Sequence, residues 1–116
     1  MKVINRIKNS NDFGETIKNG KTAKNSSFVI HYLNNNLNYT RVGISVSKKM
    51  GNAVTRNRVK RQIRAMIDSL INYDLNALDI IVIARQDFLG KSFDQNKRYL
   101  NELLKEHAGI INEKEK

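Results

Sequence analysis

Lys48-Lys49-Met50-Gly51-Asn52-Ala53-Val54-Thr55-Arg56-Asn57-Arg58-Val59-Lys60-Arg61-Gln62-Ile63-Arg64 is the stretch whose reading decides this fold. It places seven cations in seventeen residues and contains no carboxylate. Gly51-Asn52 supplies a turn and a helix N-cap, and from Val54 the apolar residues follow a 3.6 period, so a strand end passes here into an amphipathic helix. Val59, Ile63, Met66, Ile67 and Leu70 make one stripe suited to packing on a sheet. Asn57, Lys60, Arg61 and Arg64 fall elsewhere on an arc of about 100°, with Arg58 extending it and Arg56 at its margin. Like charges at helical i, i+4 spacing repel, and no acid offsets them, so a merely solvated face explains the arc poorly. A surface that holds phosphates explains it well.

Upstream, Arg41 to Ser47 alternates, with Val42, Ile44 and Val46 on a core face and Arg41, Gly43, Ser45 and Ser47 on a small, polar, open one. Phe28 to Leu33 is rich in β-branched and aromatic residues and reads as a strand. The Asn34-Asn35-Asn36 connection, followed by Leu37 and Asn38, predicts a hairpin between these two strands. Asn9 or Ser10 caps a short first helix with Phe13 and Ile17 as its apolar stripe and Gly20 as its stop. Downstream, Asp79 to Arg85 is apolar on both faces, as expected of a strand covered on two sides. Ser92 with Gln95 fits a capping box that opens a last helix, whose core face is Leu100, Leu103, Leu104 and His107 and whose end falls near Gly109. The order is α-β-β-α-β-α, a single-domain α+β sandwich over 1–116, with 1–8 and 112–116 as mobile ends. The two strands flanking the basic helix are separated by a helical crossover, which suits a parallel pair.

Composition narrows the function. The net charge is +10 over 116 residues, but residues 1–67 hold fourteen Lys and Arg against only Asp12 and Glu15, whereas residues 68–116 are slightly acidic. A one-sign field of this kind calls for a polyanion. The basic helix has an apolar side suited to an internal core rather than a Trp/Phe-rich insertion surface, so nucleic acid is favoured over membrane. A sheet beside a basic helix suits single-stranded or folded RNA better than duplex DNA. Cysteine is absent and histidines number two, so thiolate metal sites and His/Cys chemistry are poorly supplied. The absence of cysteines and of a signal-like segment predicts a cytoplasmic location. Divalent-metal nucleases need convergent carboxylates, and the basic half offers only Asp12 and Glu15. Lys48 and Lys49 also read as a charged strand end, Phe13 as a core residue, and His31 as an ordinary strand histidine.

The run Arg41 to Arg64, with Arg-Asn-Arg at 56–58, resembles the signature of the bacterial ribonuclease P protein component. Weaker similarity extends through Asn5-Arg6-Ile7-Lys8, Asp12-Phe13, Phe28-Val29 and Asp79 to Arg85. The resemblance implies a ribosomal protein S5 domain 2-like sandwich with a left-handed parallel βαβ crossover. It implies a noncatalytic subunit that joins a catalytic RNA to remove the 5′ leader of precursor tRNA. Mg²⁺ enters through that RNA, the protein itself holds no cofactor, and no obligate protein partner is expected. By similarity Lys48, Lys49, Asn52, Arg56, Asn57, Arg58, Lys60, Arg61 and Arg64 face the catalytic RNA, while Phe13, His31 and Ile17 belong to a cleft for the leader. Ile17 and His31 stand where family members often carry aromatics. A general RNA-binding or ribosome-associated protein and a stand-alone ribonuclease are the alternatives.

Overall fold

A computed structural model describes residues 1–108; the expected helix end near Gly109 and the tail 112–116 lie outside the described residues. The chain forms α1 (Ser10–Asn19), β1 (Lys21–Lys24), β2 (Phe28–Asn34), β3 (Arg41–Ser45), α2 (Ala53–Leu70), β4 (Leu78–Ala84) and α3 (Phe93–Leu103), with a last turn over Leu104–Ala108. The four strands make one sheet in the order β1-β2-β4-β3. β3 and β4, joined through α2, pair in parallel as the crossover predicts.

Two expectations about the strands are corrected. β2 does not form a hairpin with β3; β4 lies between them and pairs antiparallel with β2 from Phe28↔Ala84 to Asn34↔Leu78. With Leu78, Ile80, Ile81 and Val82 all nearly inaccessible, β4 belongs at the centre, where both of its faces and both of its edges are covered. The hairpin lies one strand earlier, between β2 and β1. Lys21-Thr22-Ala23-Lys24 escapes a hydrophobicity reading because only Ala23 is apolar, and it is recruited as an edge strand by backbone pairing.

The local signals explain the helices. Asn9, Asn52 and Ser92 each accept a backbone N–H at the N-terminus of α1, α2 and α3, and Ser92 with Gln95 closes the expected capping box. Phe28, Ile30, Val42, Ile80 and Val82 on one sheet face join Val59, Ile63, Met66, Ile67 and Leu70 of α2 and Leu100, Leu103 and Leu104 from the C-terminal end in a single core. Each such large side chain contributes about 1.5–3 kcal/mol on leaving water. His107, expected on that core face, is exposed instead, because the helix loosens into a wider turn from Leu104 and the 3.6-residue spacing no longer holds there.

Residues 1–8, expected as a mobile end, carry specific contacts along the free edge of β3. Ile7 N–H donates to the Val42 carbonyl at 3.0 Å, and the buried Asn5 amide donates to the Thr40 carbonyl at 2.8 Å. The other sheet face is not simply open and polar either. Asp12 of α1 accepts from Arg41 at 3.2 Å, and a Cβ at Gly43 would lie 2.8 Å from Cε2 of Phe13, so α1 rests directly on β3. Glycine is needed at 43 for that close approach.

Candidate nucleic-acid interface

Ser47 opens a short turn over Lys48–Met50 by accepting the Lys49 N–H, and Gly51 follows at φ 138°, ψ −166°. That conformation is essentially confined to glycine, so the residue sets the angle at which α2 leaves the sheet. Asn52 then caps α2 by accepting the Thr55 N–H at 2.9 Å. Arg56 bends back to donate from Nε to the Gly51 carbonyl at 3.2 Å, and Gln86 donates to the Lys49 carbonyl at 3.3 Å, tying the turn to the segment after β4. Lys48, Lys49, Asn52, Asn57, Arg58 and Arg61 are exposed; Arg56, Lys60 and Arg64 are half-buried with their heads outside the core cluster. Among the described residues none of these cations has a carboxylate partner. The sequence-derived arc is therefore one contiguous unneutralised surface, continuous with Lys48 and Lys49.

The second group of expected residues lies across the edge strand β3. Pairing sets Thr22, His31, Ile81 and Gly43 in one row across the sheet, with the Phe13 ring seated over the Gly43 and Ile81 end. The next row, Lys24, Val29, Ile83 and Ser45, is half-buried apart from the exposed Lys24, so an accessible, largely apolar floor adjoins α1. Ile17 on the same helix is 39 % exposed and supplies an apolar wall residue rather than core packing. The buried residue of α1 is Thr16, whose hydroxyl satisfies itself on the Asp12 carbonyl at 2.9 Å. His31 is half-buried, its Nδ1 lies 3.0 Å from the Thr22 hydroxyl, and burial lowers its pKa. A neutral imidazole there can stack on a base or bond its edge.

α1 is held over the sheet by a charged clamp that periodicity does not reveal. Arg41 donates from Nε and Nη2 to the two oxygens of Asp79 at 2.9 and 2.6 Å, and from Nη1 to Asp12. The Asp79 hydrogen bond is the main reason the Arg41 pKa is raised. Asn35 adds a donor to Asp79 at 2.9 Å. Arg41 was legible only as an outward residue of an alternating strand and Asp79 as the first residue of an apolar run; their in-register pairing on β3 and β4 is what makes the ion pair.

The basic arc and the Phe13 cleft meet. Arg6, Phe13, Gly43, Ile44, Lys60 and Arg64 line one notch of about 170 Å³. Arg64 Nε is shielded from water there and has no hydrogen-bond partner among the described residues. A bound phosphate would satisfy a guanidinium so placed. Arg6 is a further candidate the sequence did not single out. A larger cavity of about 670 Å³, between the N-terminal segment and the end of α2, sets Lys2 and the Met1 amino group beside Asp68, Asp74, Tyr39 and Tyr73, and there the Met1 amino group is paired with Asp68 at 2.8 Å, so it lacks the one-sign charge of the notch.

The fold and this surface define a class: small, basic α+β sandwich proteins that set a cationic helix beside an accessible sheet face. A family model described as Ribonuclease P matches residues 1–108. The ribonuclease P protein component of Mesoplasma florum is 48 % identical over 99 residues, covering 84 % of this chain and 90 % of the relative. That of Streptococcus pyogenes serotype M12 is 45 % identical over 105 residues, covering 90 % and 87 %. Among solved structures, a Staphylococcus aureus RNase P protein superposes with a TM-score of 0.81 at 42 % identity, covering 93 % of this chain and 98 % of that one. The Thermotoga maritima RNase P protein gives 0.75 at 33 % identity, covering 86 % and 94 %. This chain belongs to the ribonuclease P protein family.

Proposed function

We propose that this protein is the RNA-binding subunit of a ribonuclease P that removes the 5′ leader of precursor tRNA, with α2 docking the catalytic RNA and the α1-sheet cleft taking the leader. The carrying observation is that unpaired cations and an apolar-floored cleft share one edge of the molecule, with Lys60 and Arg64 lining the same notch as Phe13. Phosphates supply the affinity along the arc, and stacking or edge contacts at Phe13 and His31 hold unpaired bases. Ile17 adds wall area without a ring to stack. In this reading the protein contributes position and charge while metal-dependent chemistry comes through the RNA. The two carboxylates of the basic half fit that division: Asp12 is engaged by Arg41, and Glu15 accepts from Asn19 at 2.7 Å. A cytoplasmic setting belongs to this reading and is supported by the lack of cysteine in the sequence.

Catalytic RNA and precursor tRNA repel each other, and local cations reduce that repulsion. Adding this protein to its catalytic RNA is therefore expected to lower the Mg²⁺ concentration needed for correct 5′ maturation, measured by precursor cleavage over a Mg²⁺ titration. An unchanged Mg²⁺ dependence would sink the mechanism.

A stand-alone ribonuclease is the second reading, because one similar structure is of a Staphylococcus aureus RNase P protein mutant with defective mRNA degradation activity. The same reconstitution separates the readings. A stand-alone nuclease cuts without added RNA, a general RNA-binding or ribosome-associated protein leaves the catalytic RNA unstimulated, and a true subunit stimulates cleavage at the mature 5′ end.

A further inference from the structure

β1, the strand that hydrophobicity missed, puts Thr22 directly opposite His31. The Thr22 hydroxyl and His31 Nδ1 are 3.0 Å apart, and no other hydrogen bond engages either side chain among the described residues. His31 Nε2 is not an orphaned buried atom, so with no protein partner it reaches solvent. The ring sits in the row that ends under Phe13, two strand spacings or about 10 Å from Gly43 across Ile81. It thus offers one nitrogen to the protein and the other to whatever enters the cleft.

We propose that Thr22 is a positioning residue that donates its hydroxyl proton to His31 Nδ1, locking the imidazole with its proton on Nε2, so that His31 presents one donor to a base-edge acceptor of the single-stranded leader. The inference rests on the functional reading above and deepens it by naming a contact that discriminates between bases. A neutral imidazole has one donor and one acceptor nitrogen, so fixing one fixes the other. Burial lowers the ring's pKa and so favours the neutral form, which is the form that discriminates. With the lock, a base whose edge offers an acceptor is bound and one offering an amino group is refused. Without it, both tautomers are available and either edge is accommodated.

The chain has two histidines, and His107 is exposed in the last turn after α3 while His31 is half-buried on β2, so their ring ¹⁵N signals are assigned separately. Long-range ¹H–¹⁵N spectra of the free wild-type protein are expected to show His31 with an unprotonated Nδ1 and a protonated Nε2. Thr22→Val keeps the shape and removes the hydroxyl; it is expected to mix the tautomers of His31 while leaving His107 unchanged, and Thr22→Ser to restore the wild-type spectrum. The second arm measures cleavage by the reconstituted holoenzyme of precursors varied through all four bases at each leader position. Wild-type is expected to show a spread of roughly three- to ten-fold at one position, the range one hydrogen bond supports, and Thr22→Val to flatten that spread there alone. A wild-type His31 with its proton on Nδ1, or a Thr22→Val protein with an unchanged tautomer and an unchanged base spread, overturns the proposal. If the tautomer is as stated but cleavage is equally fast for all four bases, base reading fails while the subunit reading stands. If the wild-type protein fails to stimulate the RNA at all, the subunit reading fails and takes the base-reading role with it, whatever the spectra show.

Discussion

Arg41→Met is expected to destabilise the fold by about 3 kcal/mol, the lower end of what breaking a buried ion pair costs. The side chain of Asp79 is only 8 % exposed, so the substitution leaves a carboxylate enclosed with Asn35 as its remaining side-chain partner. Against a total stability of about 5–15 kcal/mol for a domain of this kind, that loss is large. Denaturant unfolding checks it. The double substitution Arg41→Met/Asp79→Leu removes both charges and is expected to recover most of the loss, because apolar replacement of a buried pair is often nearly neutral. Equal instability of single and double variants would show that Arg41 acts through packing alone. Because Arg41 also tethers Asp12, even the rescued double variant is expected to bind leader oligonucleotides more weakly, as α1 loses one of its anchors on the sheet.

Replacing Arg56, Arg58 and Arg61 together with Gln is expected to weaken binding to the catalytic RNA by roughly a hundred-fold or more at moderate salt, since charge-assisted hydrogen bonds are the strong ones. If the wild-type interface neutralises about five to seven phosphates, log affinity falls against log salt with a slope of roughly −4 to −6, and each lost contact reduces the slope by about 0.7–0.9. The triple variant should therefore show a slope shallower by about 2–3, measured by binding over a salt series. Folding stability is expected to hold or rise slightly, because the three side chains lie outside the core and their mutual repulsion is relieved. A wild-type slope near zero would rule out a phosphate-led interface. Leader binding measured on the isolated protein should change less than catalytic-RNA binding, since Phe13 and His31 are untouched.

The cationic face of α2 was readable residue by residue because a helix maps sequence onto angle by a fixed rule. Val59, Ile63, Met66, Ile67 and Leu70 are all buried, as their spacing predicts, and the cations between them fall on other faces. The cleft was readable only as a list of residues. Phe13 and Ile17 sit one helical turn apart on α1, but His31 lies on another element, and its juxtaposition with them depends on which strands pair. The hairpin expected between β2 and β3 would have put His31 beside β3; the real order inserts β4 and moves His31 one strand further from Phe13. The asparagine-rich connection between those strands is compatible with either arrangement, because turn chemistry specifies a reversal and not the neighbour reached.

Local physics therefore determined the helices and the apolar strands, their caps, the buried stripe of α2 and the one-sign charge of the first half, since each is set by residue type and short spacing along the chain. Tertiary structure decided the strand order, the recruitment of β1, the Arg41–Asp79–Asp12 clamp and the Thr22–His31 pair. The clamp and the Thr22–His31 pair join residues from nine to 38 positions apart, and pairing across a sheet is settled by which arrangement buries β4 on both faces, a property of the whole chain rather than of any segment.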